Sequence, residues 1–302
     1  MIRSILSNAA RSFGPNVALV SSAQDIVWTY SELNDRVLSM ASTLMDNNEK
    51  PGEDAVSMRL DNCAENIVTQ LACASVGVPV FTYKTGGDLA DSVATSHLVA
   101  STETIAQVMA DVFPTSSSDE IGNPDSGAVI FHRPTDSTKL DATQKKLILN
   151  LVGLVGNESS EQNFPAPPFF YSSATGVPFE HLIAGGDLMG KYMNLKEGDR
   201  LCLPITLNHT FGMAGALAAF GIGSSVVLPS PKPDPDSTLA AIRNSGATVL
   251  LADTHTLKAL EGTAVPASLR GGLVKVGSGE VLGAADPVLW GELPFATVGT
   301  PR

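Results

Sequence analysis

The sequence has few cysteines and no long apolar run. Its three cysteines, Cys63, Cys73 and Cys202, are scattered over 302 residues, and none lies at C-x-x-C spacing. This pattern excludes a disulfide framework and a cysteine zinc site, and it is typical of a reducing compartment. We expect the three thiols to be buried as small apolar groups. No stretch of about 18 apolar residues is present, so no segment is expected to span a bilayer.

Positive charge is also scarce. Lysine and arginine total 19 against 31 acidic residues, which gives a net charge of −12. That balance argues against nucleic acid and against an anionic membrane surface as partners. No Gly-x-Ser-x-Gly nucleophile elbow is present. His181 and His255 have no acidic or cysteine partner at ligand spacing, so no metal site is predicted.

Two interpretations of the N-terminus are open. Residues 1–24 contain Arg3, Arg11 and five serines but no acidic residue, which is typical of a mitochondrial transit segment. The apolar residues between Ile5 and Phe13 also have helical spacing, which predicts the first helix of the fold. We slightly favour the helix, and the two interpretations are compatible if the segment is not cleaved. The transit-like composition predicts a mitochondrial location. The alternative is a cytoplasmic location.

Strands and helices alternate along the first part of the chain. The patterns predict strands at 17–20, 26–30, 55–60 and 78–81 and helices at 31–46 and 66–76. Thr29 and Glu32 have the spacing of a capping box at the start of the helix at 31–46. We expect these elements to form a parallel sheet covered by helices.

The middle of the chain carries no motif. Residues 115–126 and 156–168 are rich in polar residues, proline or glycine and are predicted loops. A helix is predicted at 140–155. Beyond residue 180, the patterns again alternate, with helices expected at 181–194, 215–220 and 237–244 and strands at 201–204, 225–228 and 247–251.

The most informative stretch is Phe169-Phe170-Tyr171-Ser172-Ser173-Ala174-Thr175-Gly176-Val177-Pro178. Its apolar start predicts the end of a buried strand. The small hydroxyl residues that follow can present N–H groups and hydroxyls to phosphate oxygens.

This stretch resembles the phosphate-binding signature of the adenylate-forming enzymes, which include acyl-CoA synthetases, luciferases and adenylation domains. That signature is approximately Tyr-Thr-Ser-Gly-Thr-Thr-Gly-x-Pro-Lys-Gly. The resemblance implies a vestigial nucleotide site at Ser172, Ser173, Thr175 and Gly176. One residue is missing before Thr175, and Phe179 and Glu180 replace the family's Lys-Gly.

Other stretches extend the resemblance to most of the chain. The run from Trp28 to Pro79 is similar to the family's opening subdomain. The Asn208-His209-Thr210-Phe211-Gly212 stretch resembles one that lines the acyl pocket there, which implies a vestigial acyl pocket at His209 and Gly212. A lone histidine beside an aromatic is more often structural. Val298 stands where the family has the aromatic residue that stacks on adenine.

Two other patterns resemble functional motifs, but the residues around them argue against a phosphate-binding or catalytic role. Gly185 to Lys191 fits G-x-x-x-x-G-K, but Tyr192 stands where serine or threonine must bind magnesium, and the run lies in a predicted helix. Asp234 and Asp236 flank prolines and are predicted to cap a helix in solvent.

The resemblance implies an α/β fold with two Rossmann-like parallel-sheet subdomains. They correspond to part of the family's large N-terminal domain, without its β-barrel part and without the C-terminal domain. We place the first subdomain at 1–160, with 1–13 as a targeting-like helix, and the second, which contains the degenerate phosphate loop, at 161–302.

Three functions are open. The chain is interpreted first as a catalytically inactive acyl-CoA-synthetase-like protein that serves as an accessory subunit of a larger assembly, with other protein subunits as its partners. The second is an acyl- or nucleotide-binding module without turnover. The third is half of a carboxylate–AMP or acyl-CoA ligase completed by another chain. No cofactor is predicted, and ATP, AMP and magnesium would bind only if residual binding survives.

Overall fold

The computed structural model describes residues 2–47, 56–59, 61–77, 80–82, 97–100, 129–131, 170–171, 176–177, 179–276 and 288–298. The predicted helix at 140–155 and the predicted loops at 115–126 and 156–168 lie outside the described residues.

Seven α-helices lie within the described residues. They are α1 (Ile2–Phe13), α2 (Tyr30–Asn47), α3 (Ala64–Val76), α4 (Phe179–Tyr192), α5 (Thr210–Ile222), α6 (Pro235–Ser245) and α7 (Thr254–Leu260). Each of the helices predicted within these parts of the chain is present, and α5 is longer than the prediction at both ends.

The described strands form two sheets. The first eight are β1 (Val17–Ser21), β2 (Ile26–Thr29), β3 (Val56–Arg59), β4 (Val80–Thr82), β5 (His97–Ala100), β6 (Val129–Phe131), β7 (Phe170–Tyr171) and β8 (Gly176–Val177). The remaining six are β9 (Arg200–Cys202), β10 (Ser225–Leu228), β11 (Val249–Asp253), β12 (Gly272–Lys275), β13 (Val288–Trp290) and β14 (Leu293–Val298).

The chain divides into two compact units, and each unit holds one sheet. The first unit comprises residues 1–36, 61–67 and 180–302 and contains an eight-stranded sheet of order β13-β14-β12-β11-β9-β10-β1-β2. The second comprises residues 37–60 and 68–179 and contains a six-stranded sheet of order β6-β5-β3-β4-β7-β8. The division therefore differs from the predicted boundary at 160/161.

The difference arises because the first two strands belong to the sheet of the C-terminal half. β1 pairs in parallel with β10, with Val20 beside Val227, and β2 lies antiparallel to β1 at the edge. The turn at Ser22–Gln24 is too short for the crossover that parallel neighbours need. The prediction of one parallel sheet through the first four strands is wrong in this respect, although β3 and β4 do pair in parallel.

The sheet of the first unit has helices on both faces. Cys202, Leu250 and Val274 point to the face where Ile242 of α6 and Leu257 of α7 complete one apolar core. The alternate residues point the other way, because a Cβ on Gly215 of α5 would meet the side chains of Leu251 and Leu203. This three-layer arrangement is the α/β architecture that the alternating sequence pattern predicts.

Helix α1 is part of this fold. Leu6 and Ala9 are buried, and the Ser7 hydroxyl donates a hydrogen bond of 3.1 Å to Asn34 Oδ1. At the end of the helix, Phe13 lies 5.7 Å from the Tyr30 ring, centroid to centroid. The helix predicted for the N-terminus is thus confirmed, and no targeting role is tested by it.

Two predicted helix caps are confirmed. The Thr29 N–H and hydroxyl donate to Glu32 Oε2 at 2.8 and 2.9 Å, and the Glu32 N–H donates to Thr29 Oγ1 at 3.2 Å, which completes the capping box. Asp234 caps α6, because its carboxylate accepts a hydrogen bond of 2.7 Å from the Ser237 N–H.

The three cysteines are free thiols, and Cys73 and Cys202 are buried as predicted, while Cys63 is half-buried. Burial raises the pKa of Cys202 to about 12. Burial, together with the charge of Glu65, raises the pKa of Cys63 to about 12. The thiols are therefore protonated at neutral pH and are poor nucleophiles.

Candidate functional site

The predicted phosphate loop connects two paired strands. β7 and β8 are antiparallel, with Phe170 beside Val177 and Tyr171 beside Gly176. The predicted site residue Gly176 therefore lies in β8. Ser172, Ser173 and Thr175 lie between the two strands in the sequence and outside the described residues.

The residues that replace the family's Lys-Gly form the first turn of α4. Phe179 is the first residue of the helix and is only 4% exposed. Glu180 follows it and is exposed. A helix N-terminus carries partial positive charge from its unpaired N–H groups and favours an anion. In this chain, a carboxylate of the protein already occupies that end of the helix.

The carboxyl ends of six parallel strands lie along one edge of the eight-stranded sheet. Strand β9 is followed by α5 and then β10 on one side, whereas β11 and β12 lie on its other side. The direction in which successive strands are added to the sheet thus reverses between β9 and β11. In open α/β sheets, ligands bind in the crevice at such a reversal. The residues that follow β9, β11 and β12 are therefore the candidate ligand-binding edge of this unit.

The loop after β9 carries the predicted acyl-pocket residues. His209 is half-exposed and lies at the N-cap of α5 in extended backbone, with φ −118° and ψ 147°. Its side chain makes no capping hydrogen bond, while its carbonyl accepts one of 3.1 Å from the Met213 N–H.

Gly212 is buried one turn further along α5, and the structure gives it a packing role. A Cβ at Gly212 would overlap the carbonyl oxygen of Thr206. The helix can therefore approach the 205–209 loop this closely only with glycine at that position. The structure brings His209 and Gly212 together at one helix end, but it does not test whether they line an acyl pocket.

Buried asparagines fix the backbone of the same loop. The Asn62 side chain donates to the Ile205 carbonyl and accepts from the Leu207 N–H, both at 2.8 Å. Asn66 Nδ2 donates to Asn208 Oδ1 at 3.0 Å. The sequence analysis missed both residues, because their partners are more than 140 positions away along the chain.

A cation and an aromatic ring from different elements meet at this edge. The Lys275 ammonium, at the carboxyl end of β12, lies 5.8 Å from the ring centroid of Phe211 in the first turn of α5. Val298 pairs with Lys275 across β12 and β14 and is 39% exposed. Val298, which stands in the place of the family's adenine-stacking aromatic, thus lies at the candidate ligand-binding edge, but it offers no ring for stacking.

The run from Gly185 to Lys191 is a helix-packing element. It lies entirely within α4. A Cβ on Gly186 would lie 2.7 Å from the Ala214 carbonyl oxygen, and one on Gly190 would lie 3.8 Å from the Ala218 Cβ. Small residues four apart on each helix let α4 and α5 approach closely. These glycines therefore serve helix contact, as their helical context predicts.

Within the described part of the chain, no group of three or more His, Cys, Asp or Glu side chains is placed to hold a metal ion. The described helices also include none with the length and apolar content needed to cross a bilayer.

Comparison with known proteins finds one protein family. Residues 6–145 match the sequence model of the family described as "AMP-binding enzyme". The chain is 27% identical over 248 residues to the acyl-CoA ligase SID4 of Ajellomyces capsulatus, a match that covers 74% of this chain and 41% of that protein. It is 26% identical over 241 residues to the acyl-CoA ligase sidI of Beauveria bassiana, again with 41% of the relative covered. The chain thus spans less than half of the length of these curated relatives.

Solved structures share the fold. A fatty acyl CoA synthetase of Mycobacterium tuberculosis superposes with a TM-score of 0.66 at 14% identity, covering 91% of this chain and 54% of the other. The N-terminal domain of FACL13 from the same organism gives a TM-score of 0.68 at 13% identity, covering 99% and 74%. The two α/β units therefore have the fold of the N-terminal domain of adenylate-forming enzymes, and the sequence is similar to AMP-binding enzymes over residues 6–145 and to acyl-CoA ligases over 74% of the chain.

Proposed function

We propose that this chain is a catalytically inactive acyl-CoA-synthetase-like protein that serves as an accessory subunit of a larger assembly. The observation that carries the loss of activity is the first turn of α4. Phe179 is buried there and Glu180 is exposed, in the place of the family's Lys-Gly.

The physical argument concerns charge. Adenylation needs ATP held in line with a carboxylate, with cations offsetting the negative charge that develops on the α-phosphate. A phenylalanine supplies no positive charge. A carboxylate repels a nearby triphosphate, by several kcal/mol in a desolvated site and by much less in solvent. Glu180 also neutralises the partial positive charge of its own helix end.

The surface of α4 supports the accessory role. Leu188 and Tyr192 lie four residues apart on this helix and are 55% and 67% exposed. Residues at this spacing share one helix face, so the pair offers a small apolar contact area to another protein. The acid-free N-terminal segment supports a mitochondrial location for the assembly, because such segments are typical of imported proteins.

Pyrophosphate exchange tests the loss of activity. The purified chain should give no carboxylate-dependent exchange of pyrophosphate into ATP with acids from acetate to palmitate. Exchange above the no-acid blank would refute the proposal. The F179K/E180G double variant is the matched comparison, because it restores the family residues at these two positions.

The native size of the endogenous protein tests the accessory role. In a gentle detergent extract, it should migrate with a complex many times larger than its own 31.4 kDa. Migration as a monomer or small dimer would contradict the accessory role, whatever the outcome of the exchange assay.

A second candidate function is an acyl- or nucleotide-binding module without turnover. The buried hydrogen bonds from Asn62 and Asn66 favour it, because they maintain an ordered loop at the edge where ligands bind in this class of sheet. Thermal stabilisation by a carboxylic acid or by ATP, without exchange, would support this function.

A third candidate is half of a carboxylate–AMP or acyl-CoA ligase completed by another chain. The names of the curated relatives, which are acyl-CoA ligases, favour it. Exchange that appears only when a co-purified second chain is added back would support this candidate and would reject catalytic inactivity of the complex.

A further inference from the structure

Asn62 bridges two loops at the carboxyl edge of the eight-stranded sheet. Its side chain holds the loop after β9 through the Ile205 carbonyl and the Leu207 N–H, both at 2.8 Å. Its own N–H donates a bond of 3.0 Å to the Pro231 carbonyl in the loop after β10. Since Asn62 is only 3% exposed, water does not compete for these bonds.

Asn66 adds a second attachment in the first turn of α3. Its amide donates to the Asn208 side chain and to the Asp61 carbonyl, both at 3.0 Å. Asn66 and Asn208 are both buried. The loop is therefore held at Ile205, Leu207 and Asn208, close before His209.

The loop needs this support because its backbone groups are not paired within a strand or a helix. Residues 203–209 lie between β9 and α5 and belong to neither a strand nor a helix. A buried N–H or carbonyl without a partner costs about 1–3 kcal/mol. An asparagine amide carries both N–H donors and a carbonyl acceptor on one side chain, so it can pair with the carbonyl of Ile205 and the N–H of Leu207 at the same time.

We propose that Asn62 and Asn66 are positioning residues, which hold the 205–209 loop and the His209 side chain in the arrangement that receives a ligand. This inference rests on the ligand-binding role proposed above for the carboxyl edge. The expected ligand is a carboxylic acid with an aliphatic chain. Because Asn62 and Asn66 are buried, they are expected to act through the loop and not by touching the ligand.

The first experiment measures the loop without any ligand. In N62A, the Leu207 amide should exchange with solvent about tenfold faster, since it loses its acceptor. N62D retains an acceptor for the Leu207 N–H but loses the donor to the Ile205 carbonyl, so it should keep only part of the protection. N244A, which changes an exposed asparagine on α6, is the control. Unchanged protection of Leu207 in folded N62A would overturn the proposal.

The second readout is the histidine ring itself. The NMR signal of the His209 ring should shift in N62A and N66A, whereas the exposed His255 and His181 rings should keep their signals. If N62A does not fold, N208A replaces it, because that change removes the Oδ1 atom that accepts from Asn66. Equal shifts in all three histidines, or none in His209, would contradict the positioning role.

A decanoate titration separates this inference from the function on which it rests. Decanoate binding by the wild-type chain that weakens at least fivefold in N62A, and not in N244A, would support both. No decanoate binding by the wild-type chain would reject the ligand role, while the exchange and NMR results still decide whether the asparagines position the loop.

Discussion

Arg270 forms an ion pair with Asp199 at the amino-terminal edge of the eight-stranded sheet. The guanidinium also donates to the Asn194 carbonyl at 2.7 Å. The Thr248 hydroxyl donates to Asp199 Oδ1 at 2.7 Å. The Asp199–Arg270 pair thus links the segment that follows α4 to the residues just before β9, β11 and β12.

This ion pair predicts a specific dependence of stability on pH. Burial alone would raise the pKa of Asp199, but hydrogen bonds from Arg270, Thr248 and the Lys196 N–H outweigh it and lower that pKa. Because the folded pKa lies below the unfolded value of about 4, the carboxylate stabilises the fold above that pH. The stabilisation is lost as the pH falls through the folded pKa.

D199N should therefore lose about 1–2 kcal/mol of unfolding free energy at pH 7, because the pair is partly exposed to solvent. Its acid dependence between about pH 5 and 2 should be shallower than that of the wild type. Urea unfolding at several pH values measures both effects. D187N, at an exposed position of α4, is the control, and an equal loss in that variant would contradict the prediction.

The contact between α4 and α5 predicts opposite effects for two glycines. In G186A, the new Cβ would lie 2.7 Å from the Ala214 carbonyl oxygen, so the helices must separate, at a cost of about 1–3 kcal/mol. Gly221 of α5 has no atom within 4 Å of its Cβ position. G221A should be neutral or stabilise by up to about 1 kcal/mol. Thermal unfolding of both variants measures the difference, and a stabilised G186A would show that the helices do not pack this closely.

The burial of α1 predicts that the N-terminal helix is needed for the stability of the first unit. L6D places a charge at a residue that is 6% exposed and should cost about 2–4 kcal/mol. N8D, on the exposed side of the same helix, should be neutral, because the new carboxylate lies beside Arg11. Chemical denaturation compares the two. An L6D variant as stable as N8D would mean that α1 does not pack as described.

The position of Glu180 predicts that its charge weakens nucleotide binding. E180Q should raise the affinity for ATP by a few-fold at low salt, and the gain should shrink as salt screens the interaction. E197Q removes another exposed carboxylate, from the turn before β9, and should leave the affinity unchanged. Fluorescence titration with a labelled ATP analogue measures both, and equal effects in the two variants would indicate only a change in net charge.

Local features of the fold could be predicted from the sequence. The capping box of Thr29 and Glu32 and the Asp234 cap depend on residues three positions apart. The helices in the described parts of the chain, and strands such as β1, β10 and β11, follow from apolar spacing over a few residues. The similarity to AMP-binding enzymes could be recognised from the run that ends at Pro79, which lies within the matched residues 6–145, because short motifs retain their order even where single residues have changed.

The arrangement of the candidate ligand-binding edge could not be predicted in this way. Asn62 lies 143 and 145 positions from its loop partners, and Lys275 meets Phe211 only because β12 and α5 end at the same edge of one sheet. A side-chain amide can hydrogen-bond to any backbone N–H or carbonyl group in the chain. The sequence alone does not indicate which of these groups the order of the strands brings close to it.

The sequence by itself determined the helices in the described parts of the chain, the caps at Thr29 and Asp234 and the α/β class, because these depend on contacts between near neighbours along the chain. Only the tertiary structure decided that β1 pairs with β10 rather than with β3. An apolar strand can pair with any other of similar length, and the choice depends on the packing of helices on both faces of the completed sheet. For the same reason, tertiary structure alone placed the 205–209 loop, Asn62 and Asn66 together.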